Sequence, residues 1–532
     1  MTTALIVGSG PAAAGAALAL SRSPDLKITV IDIGLRLEAD RQSAVDTLAA
    51  EDPSEWDDRI LQRISKQAVT STIKGVPEKR SYGSNYPFRD VAQLDGLTAA
   101  DDVTTSLVSA AYGGFSTVWG SQLMPFTAST FETWPISASD MQPHYQAITS
   151  QIPFAAEDDD LADRFPLMGH PAPLPEMSPR SLWALEAYAR HRPVLREMGI
   201  SMGKARLAFD AARCVRCGLC MTGCPYGLIY SSSQTFDALR RSNRVTYHSG
   251  LLALKVAEEP DKAFVIAKEL ATGRTHRFEA DRIYIACGAV STTRLVASSL
   301  SLFGVDLTMG ESQQFALPML SFRATGDPRG EPTFTLNQFN MIVALDQRGI
   351  DISQLHFYTY NSAFTEALPF PLRGRAADRA RLQLLRRLSV VLGYLPSWRS
   401  PTLHVNVQRS SNNEGMPELH VSRSAPPAGR NAMLRMVLTR VVRAARLLDL
   451  YPLLPSLRLS AGAKSYHVGG SFPHTVDGSR TVGSDRLGRV GPWLRIHLLD
   501  ASVFPNVPAT TFTLTIMANA HRIASETLER PQ

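Results

Sequence analysis

The chain has 532 residues, of which 44% are hydrophobic and 20% charged, and a formal net charge of +6. That length holds two domains, or one large domain with insertions, and the composition is that of a folded globular protein. No nucleic-acid module accompanies the mild positive charge and no apolar run is long enough to span a membrane. The first strand begins too early for an export leader, so a cytoplasmic protein that does not bind nucleic acid is expected.

The opening residues carry the strongest signal. Ala4-Leu5-Ile6-Val7 reads as a strand, Gly8-Ser9-Gly10 as a turn and Pro11 onward as a small-residue helix; Ile28–Ile31 is a second strand ending on Asp32. This is the order of a dinucleotide-binding βαβ unit. Gly8 makes the turn, Gly10 lets the backbone approach a pyrophosphate, and Ala13 replaces the usual third glycine. Asp32 stands where a carboxylate accepts ribose hydroxyls. Residues 36–100 read as a polar insertion. The run Gly113-Gly114-Phe115-Ser116-Thr117-Val118-Trp119 has the small residues a backbone needs to lie flat against a ligand. Helices are expected near 134–150 and 180–198, strands over 244–287, and a helix from Ser291 to Ser299. Antiparallel strands are expected at Met319–Ala324, Gln354–Tyr360 and Leu403–Gln408, suited to the wall of a substrate cavity. Arginine-rich helices are expected at about 374–392 and 429–449, and a last helix from Thr513 to Leu528. A second glycine fingerprint for NAD(P)H is missing, so reducing equivalents are expected to come from the substrate.

Four of the five cysteines fall in Cys214-Val215-Arg216-Cys217-Gly218-Leu219-Cys220-Met221-Thr222-Gly223-Cys224-Pro225. The spacing CxxCxxCxxxCP is that of bacterial ferredoxin ligands, and it is too compact for the paired CxxC elements of most zinc sites. An iron–sulfur cluster, most simply [4Fe–4S], is expected on Cys214, Cys217, Cys220 and Cys224. A three-iron cluster, a ligand from Cys287, and a thiol-rich loop without metal stay open as alternatives.

With these blocks in hand, the chain resembles the glucose–methanol–choline (GMC) flavoprotein oxidoreductases. The resemblance covers residues 4–34, 110–122, 134–145, 282–295 and 466–528, and is most specific at His467-Val468-Gly469-Gly470 and Asp500-Ala501-Ser502-Val503-Phe504-Pro505. The 113–119 run looks most like the pyranose-oxidising branch, which can carry a flavin-linked histidine where this chain has Val118; FAD without a covalent bond is therefore implied. So are cofactor contacts from Gly8, Gly10, Ala13, Asp32, Gly113, Gly114, Ser116, Asp500 and Ala501. The resemblance makes His467 the base that takes a hydroxyl proton while hydride passes to flavin N5. Where the family usually has a second His or Asn, this chain has Thr511, whose hydroxyl can only position a substrate oxygen. His474 is a candidate stand-in, though a loop histidine is the simpler reading. The implied fold class is α/β: a Rossmann-like FAD-binding domain, a mainly antiparallel-sheet substrate domain and a small iron–sulfur loop. Its expected bounds are 1–310 (cysteine loop about 210–230), 311–465 and 466–532.

Flavin and cluster together suggest a dehydrogenase of a CH–OH group on a sugar, sterol or secondary-metabolite alcohol. Electrons would leave one at a time through the cluster to an external redox protein or quinone. The alternatives are an oxygen-using oxidase or a flavin desaturase with a structural cysteine loop, and a non-catalytic electron-transfer flavoprotein. Leu384, Leu385, Leu388, Val391, Leu392 and Leu395 recur at helical spacing beside arginines. They either pack on the protein or lay a helix on an anionic membrane, which would place the chain peripherally at the inner membrane face.

Overall fold

The computed structural model describes residues 2–65, 80–91, 94, 96–100, 103, 106–360, 377–410, 416–479 and 482–529. The βαβ unit forms as the sequence implies. Thr3–Val7 pairs in parallel with Lys27–Ile31 on one side and with Arg282–Ile285 on the other. Val245–His248 and Ile496–Leu498 complete a five-stranded parallel sheet, whose edge strand comes from the far end of the chain. The helix Pro11–Leu20 is buried along most of its length and packs on the terminal helix Thr513–Glu529. Its small residues allow that approach: a Cβ on Gly15 would meet the Met517 carbonyl oxygen at 2.2 Å. A three-stranded antiparallel sheet, Leu251–Glu258, Ala263–Glu269 and Thr275–Ala280, lies beside this unit.

Two further sheets build the second half. One runs Val468–Gly469, Asp306–Glu311, Leu403–Gln408, Glu418–Arg423 and Leu97–Ala99. The other is eight-stranded, with Leu388–Tyr394, Ile352–Tyr358 and Phe339–Ala344 adjacent in it, and it recruits Ile200–Lys204 from before the cysteine run. One face of this sheet carries Phe315, Phe339, Met341, Leu355, Phe357 and Val391 into a core shared with the helices Pro179–Glu197 and Gly429–Leu448.

The arginine-rich segment departs from expectation. It is a helix only over Asp378–Leu385 and then an inner strand over Leu388–Tyr394; residues 361–376 lie outside the described residues. Leucines three and four apart also satisfy part of an alternating pattern, and Val390-Val391, Gly393 and Tyr394 suit a pleated strand whose alternate residues are buried. The apolar run from Leu384 to Leu395 is therefore not one face of a helix among the described residues. Among the described residues no helix is long and apolar enough to cross a membrane. The expected strand at Met319–Ala324 is also shorter, ending at Leu320, where Asp449 accepts hydrogen bonds from the Phe322 and Arg323 N–H groups and turns the chain.

Candidate active site

The carboxyl ends of the parallel strands open on an elongated cavity whose wall includes Gly8, Gly10, Asp32, Gly114, Phe115, Arg294, Asp500 and Ala501. Gly8 has φ +105°, and a Cβ there would strike the Ala286 carbonyl at 2.4 Å. At Gly10 a Cβ would meet nothing within 4 Å, and no side chain caps the helix that starts at Pro11. The free N–H groups of that helix thus face open space, as an anion site requires. Asp32 accepts from the Ser9 hydroxyl and, at 3.1 Å, from the Tyr247 hydroxyl. Burial pushes its carboxyl up to about 6 despite those bonds.

Gly113, Ser116 and Ala13 stand one layer behind this wall. The Gly113 N–H donates to Ser9 Oγ at 2.9 Å, and the Ser116 hydroxyl donates to the Gly113 carbonyl at 2.5 Å. Ala13 is fully buried. Asp500 accepts from the Gly288 N–H at 3.0 Å, the Thr292 hydroxyl at 2.5 Å and the Ser502 N–H at 3.0 Å, so it ties the start of the Ala289–Ser299 helix to the Ala501–Val503 turn. Burial raises its carboxyl as well.

The far end of the cavity reaches Tyr466, Val468 and Phe512, which flank His467 and Thr511 in the chain. His467 is half-buried and packed between two rings. Its carbonyl accepts from the Ser312 N–H at 3.0 Å, and its ring lies against Tyr394 at 5.1 Å and Phe512 at 4.7 Å. Gly469 and Gly470 follow because this stretch runs backbone to backbone along 501–504; Cβ atoms there would meet the Ala501 and Phe504 carbonyls at 2.3 and 2.7 Å. Thr511 is buried, and its hydroxyl has no hydrogen-bond partner within the described residues. His474 does not join the site. Its Nδ1 donates to the Asp485 carbonyl at 2.7 Å, its Nε2 faces the Asn519 amide at 3.3 Å, and burial pushes its imidazole down to about 3.

The four clustered cysteines form no disulfide. Every pair among Cys214, Cys217, Cys220 and Cys224 lies within electrostatic range. Burial, then the neighbouring thiols, pushes Cys217 up to about 11 and Cys220 up to about 12. Backbone N–H groups face each sulfur: Arg216 to Cys214 at 3.4 Å, Thr335 to Cys220 at 3.3 Å, Leu219 to Cys217, and residues 226–229 to Cys224. Four thiols converging with amide donors around them fit an iron–sulfur cluster, whose ligands need both features. Among the described residues no three Cys, His, Asp or Glu side chains gather tightly enough for one ion. A cube of iron and sulfur holds its ligands farther apart than that. Cys287 lines the cavity instead, with its thiol toward the Val7 carbonyl at 3.6 Å, and takes no part in the cysteine group.

Two short bridges connect the cysteine loop to the cavity. The Tyr82 hydroxyl donates to the Cys224 carbonyl at 2.8 Å, and six residues later Phe88 packs on the cavity residues Phe115 and Tyr466 at 5.9 and 6.3 Å. Along the chain itself, Ser232 follows soon after Cys224 and hydrogen-bonds the Ser9 and Gly113 carbonyls, each at 2.9 Å.

Two solved structures share the fold of this chain over 99% or more of their length. One is pyridoxine 4-oxidase from Mesorbium loti, 13% identical with all of both chains covered and a TM-score of 0.59. The other is an FAD-dependent oxidoreductase from Chaetomium thermophilum, 14% identical with 99% of each chain covered and the same TM-score of 0.59. The chain shares its fold with both. Residues 207–229 match the family model described as a 4Fe-4S binding domain. No curated protein matches the chain in sequence. The α/β fold implied by the GMC resemblance is thus present, with a 4Fe–4S binding segment added to it. Sequence reading overlooked Ser9, Tyr247, Arg294 and Tyr394 around the cavity, and Tyr82 and Thr335 around the cysteines. Ser9 lies inside the glycine turn itself, whereas Tyr247, Tyr394, Tyr82 and Thr335 reach their places only through long-range packing.

Proposed function

We propose that the protein is an FAD-dependent oxidoreductase of GMC type that oxidises a CH–OH group and passes electrons on through an iron–sulfur cluster. The observation that carries this reading is the continuous cavity running from Asp32 to Tyr466 and Val468, on either side of His467. Its uncapped helix N-terminus suits a pyrophosphate, and Asp32 suits ribose hydroxyls. Bound FAD would supply the hydride acceptor, and the cluster a one-electron outlet.

The residues of the chain do the rest. His467, fixed between Tyr394 and Phe512, takes the substrate hydroxyl proton on an imidazole nitrogen. The Thr511 hydroxyl, buried and without a partner among the described residues, holds the substrate oxygen. Asp500 locks the Ala501–Val503 turn, which packs on Gly469, to the start of the Ala289–Ser299 helix. Cys214, Cys217, Cys220 and Cys224 hold the cluster, and the Tyr82–Phe88 bridge and the Cys224–Ser232 stretch keep it close to the cavity. Val118 cannot form a bond to flavin, so acid should release the chromophore into the supernatant.

The test is anaerobic purification with iron, sulfide and flavin analysis, followed by mixing with an alcohol panel. Expected are about four irons per chain and bleaching of the flavin by at least one alcohol. In Cys217→Ser iron should be lost and turnover with a one-electron acceptor should collapse, while a single flavin reduction persists. Wild-type iron in that variant would remove the cluster assignment. Rapid oxygen consumption with substrate would favour an oxidase instead.

A further inference from the structure

The helix Gly429–Leu448 carries five arginines and no acidic residue. Its apolar stripe, with Met433, Val437, Val441, Ala444 and Leu448, is buried against the eight-stranded sheet. The opposite stripe, Arg435, Thr439, Arg443 and Arg446, is exposed. Met436, 48% exposed, and Val442, 46% exposed, flank that stripe on its two sides. The 20 residues of the helix make a ridge about 30 Å long. Among the described residues no carboxylate pairs with Arg435, Arg443 or Arg446. On the adjoining helix Pro179–Glu197, by contrast, Arg192 and Arg196 are held by Asp160 and Asp163.

The ridge ends among aromatic side chains. Asp449 follows the helix in the left-handed conformation, with φ 51°. It accepts from Trp183 Nε1 at 3.2 Å and from the Phe322 and Arg323 N–H groups at 2.9 and 3.2 Å, so its carboxylate is taken up by neutral donors. The guanidinium groups of Arg323 and Arg190 lie over the Trp183 ring at 3.9 and 4.7 Å. Phe322 is 77% exposed and meets the Tyr451 ring edge-on at 4.7 Å. Leu454, shortly after Tyr451, is 45% exposed. Glu186 is the exposed acid nearest to Trp183 along its helix, and the arginines outnumber it.

We propose that this ridge and its aromatic end dock on an anionic lipid bilayer. Arginine heads attract lipid phosphates while their stems lie along apolar surface. Aromatic side chains favour the boundary between headgroups and acyl chains, where Phe322 would lose its contact with water. A protein partner needs a contiguous apolar centre to its interface. Here arginines separate Met436 from Val442, whereas lipids close around each side chain singly. The apolar stripe of the helix is already packed on the sheet, so the contact is made by the arginine side.

The docking goes beyond the flavin chemistry and gives the electrons a destination. Glu176, just before the helix that carries Trp183, pairs with Arg216 between the first two cysteines. One end of the surface therefore adjoins the segment that meets the cysteine loop, and an acceptor dissolved in the bilayer would approach from there.

The test is sedimentation of the holoprotein with two kinds of vesicle, phosphatidylcholine alone and an equal mixture with phosphatidylglycerol. At about 0.05 M salt the anionic vesicles should bind at least about tenfold more tightly, and about 0.5 M salt should release the protein. Arg443→Gln combined with Arg446→Gln should weaken binding about tenfold, and Phe322→Ser about fivefold. All three positions are exposed, so each variant should keep wild-type flavin content. Lys268→Gln combined with Arg274→Gln removes the same charge from an exposed hairpin of the three-stranded sheet and should leave binding as it was. Poly-L-glutamate and a DNA duplex serve as anions without acyl chains. Equal binding to both vesicles, no binding at low salt, wild-type binding by Phe322→Ser, or a hairpin variant as weak as the helix variant overturns the docking. Tighter binding to poly-L-glutamate or DNA than to the anionic vesicles also overturns it, in favour of an acidic macromolecule. Sedimentation needs no turnover, so its failure leaves the reading of His467 and the flavin untouched.

Discussion

His467 and Thr511 divide the work at the reacting oxygen unequally. A base that accepts the proton in the transition state contributes about 10²-fold or more, so His467→Ala should slow flavin reduction by at least that factor while FAD stays bound. Thr511→Val removes a hydroxyl that only positions substrate, and about a tenfold loss is expected. Stopped-flow reduction of both variants measures this, and a wild-type rate in His467→Ala would discard the base. Asp32 makes a separate prediction through pH. Its carboxyl sits near 6 in the folded protein, against an ordinary value of 3.8, because burial opposes the charge. Ribose hydroxyls donate to the ionised form, so FAD binding pulls the proton off. Affinity for FAD should therefore be flat above pH 6 and fall by up to about tenfold per unit below it. Asp32→Asn should bind more weakly and lose that slope. Titration of apoprotein with FAD between pH 5 and 8 checks both statements.

Glycine positions show what the elements require. Gly8 and Gly10 are legible in the sequence because their reasons are local: a turn, and a helix start left open. Gly15 is not, because the Met517 carbonyl that forbids a side chain there comes from the other end of the chain. Gly15→Ala should cost about 3 kcal/mol in denaturant titration despite alanine's better helix propensity, since two helix backbones must separate. Stability equal to wild type would mean the helices are not packed that closely. The Leu384–Leu395 stretch failed for a related reason. Its leucine spacing fits a helix, but neighbouring strands on both sides make Leu388–Tyr394 part of a sheet. The cysteine run was legible as a ligand set because its spacing is short; the amides that face its sulfurs, Thr335 above all, were not.

At the scale of the whole molecule, the antiparallel strands at Gln354–Tyr360 and Leu403–Gln408 were readable from their residue pattern. The recruitment of Ile200–Lys204 into the second sheet was not, since its partner strand lies far along the chain. Buried histidines give the molecule a shared weakness toward acid. Burial pushes His474 down to about 3 and His497 to about 4, below an ordinary value of 6.5. Both lie at seams between distant segments: His474 against the terminal helix, His497 stacked on Tyr284 in the parallel sheet. Above pH 6.5 they cost nothing. As pH falls from there toward their folded values the unfolded chain gains protons the folded one refuses, so each removes up to about 1.4 kcal/mol per pH unit. Denaturant midpoints should drop steadily between pH 7 and 5, and His497→Gln should show a lower midpoint at neutral pH but a shallower acid slope. A midpoint constant over that interval would contradict the burial of both rings.

The stretches Tyr82–Phe88 and Cys224–Ser232 each begin at the cysteine loop and end against residues of the flavin cavity. Such a double tether makes the two prosthetic groups thermodynamic neighbours. Whatever orders the cysteine loop also orders Phe88 and the start of the Ser232–Arg241 helix, so a chain that has acquired its cluster should hold FAD more tightly. By reciprocity a chain that has acquired FAD should retain its cluster longer. Maturation then has a preferred end point, in which protein carrying only one of the two groups is scarce at equilibrium even when both are supplied sparingly.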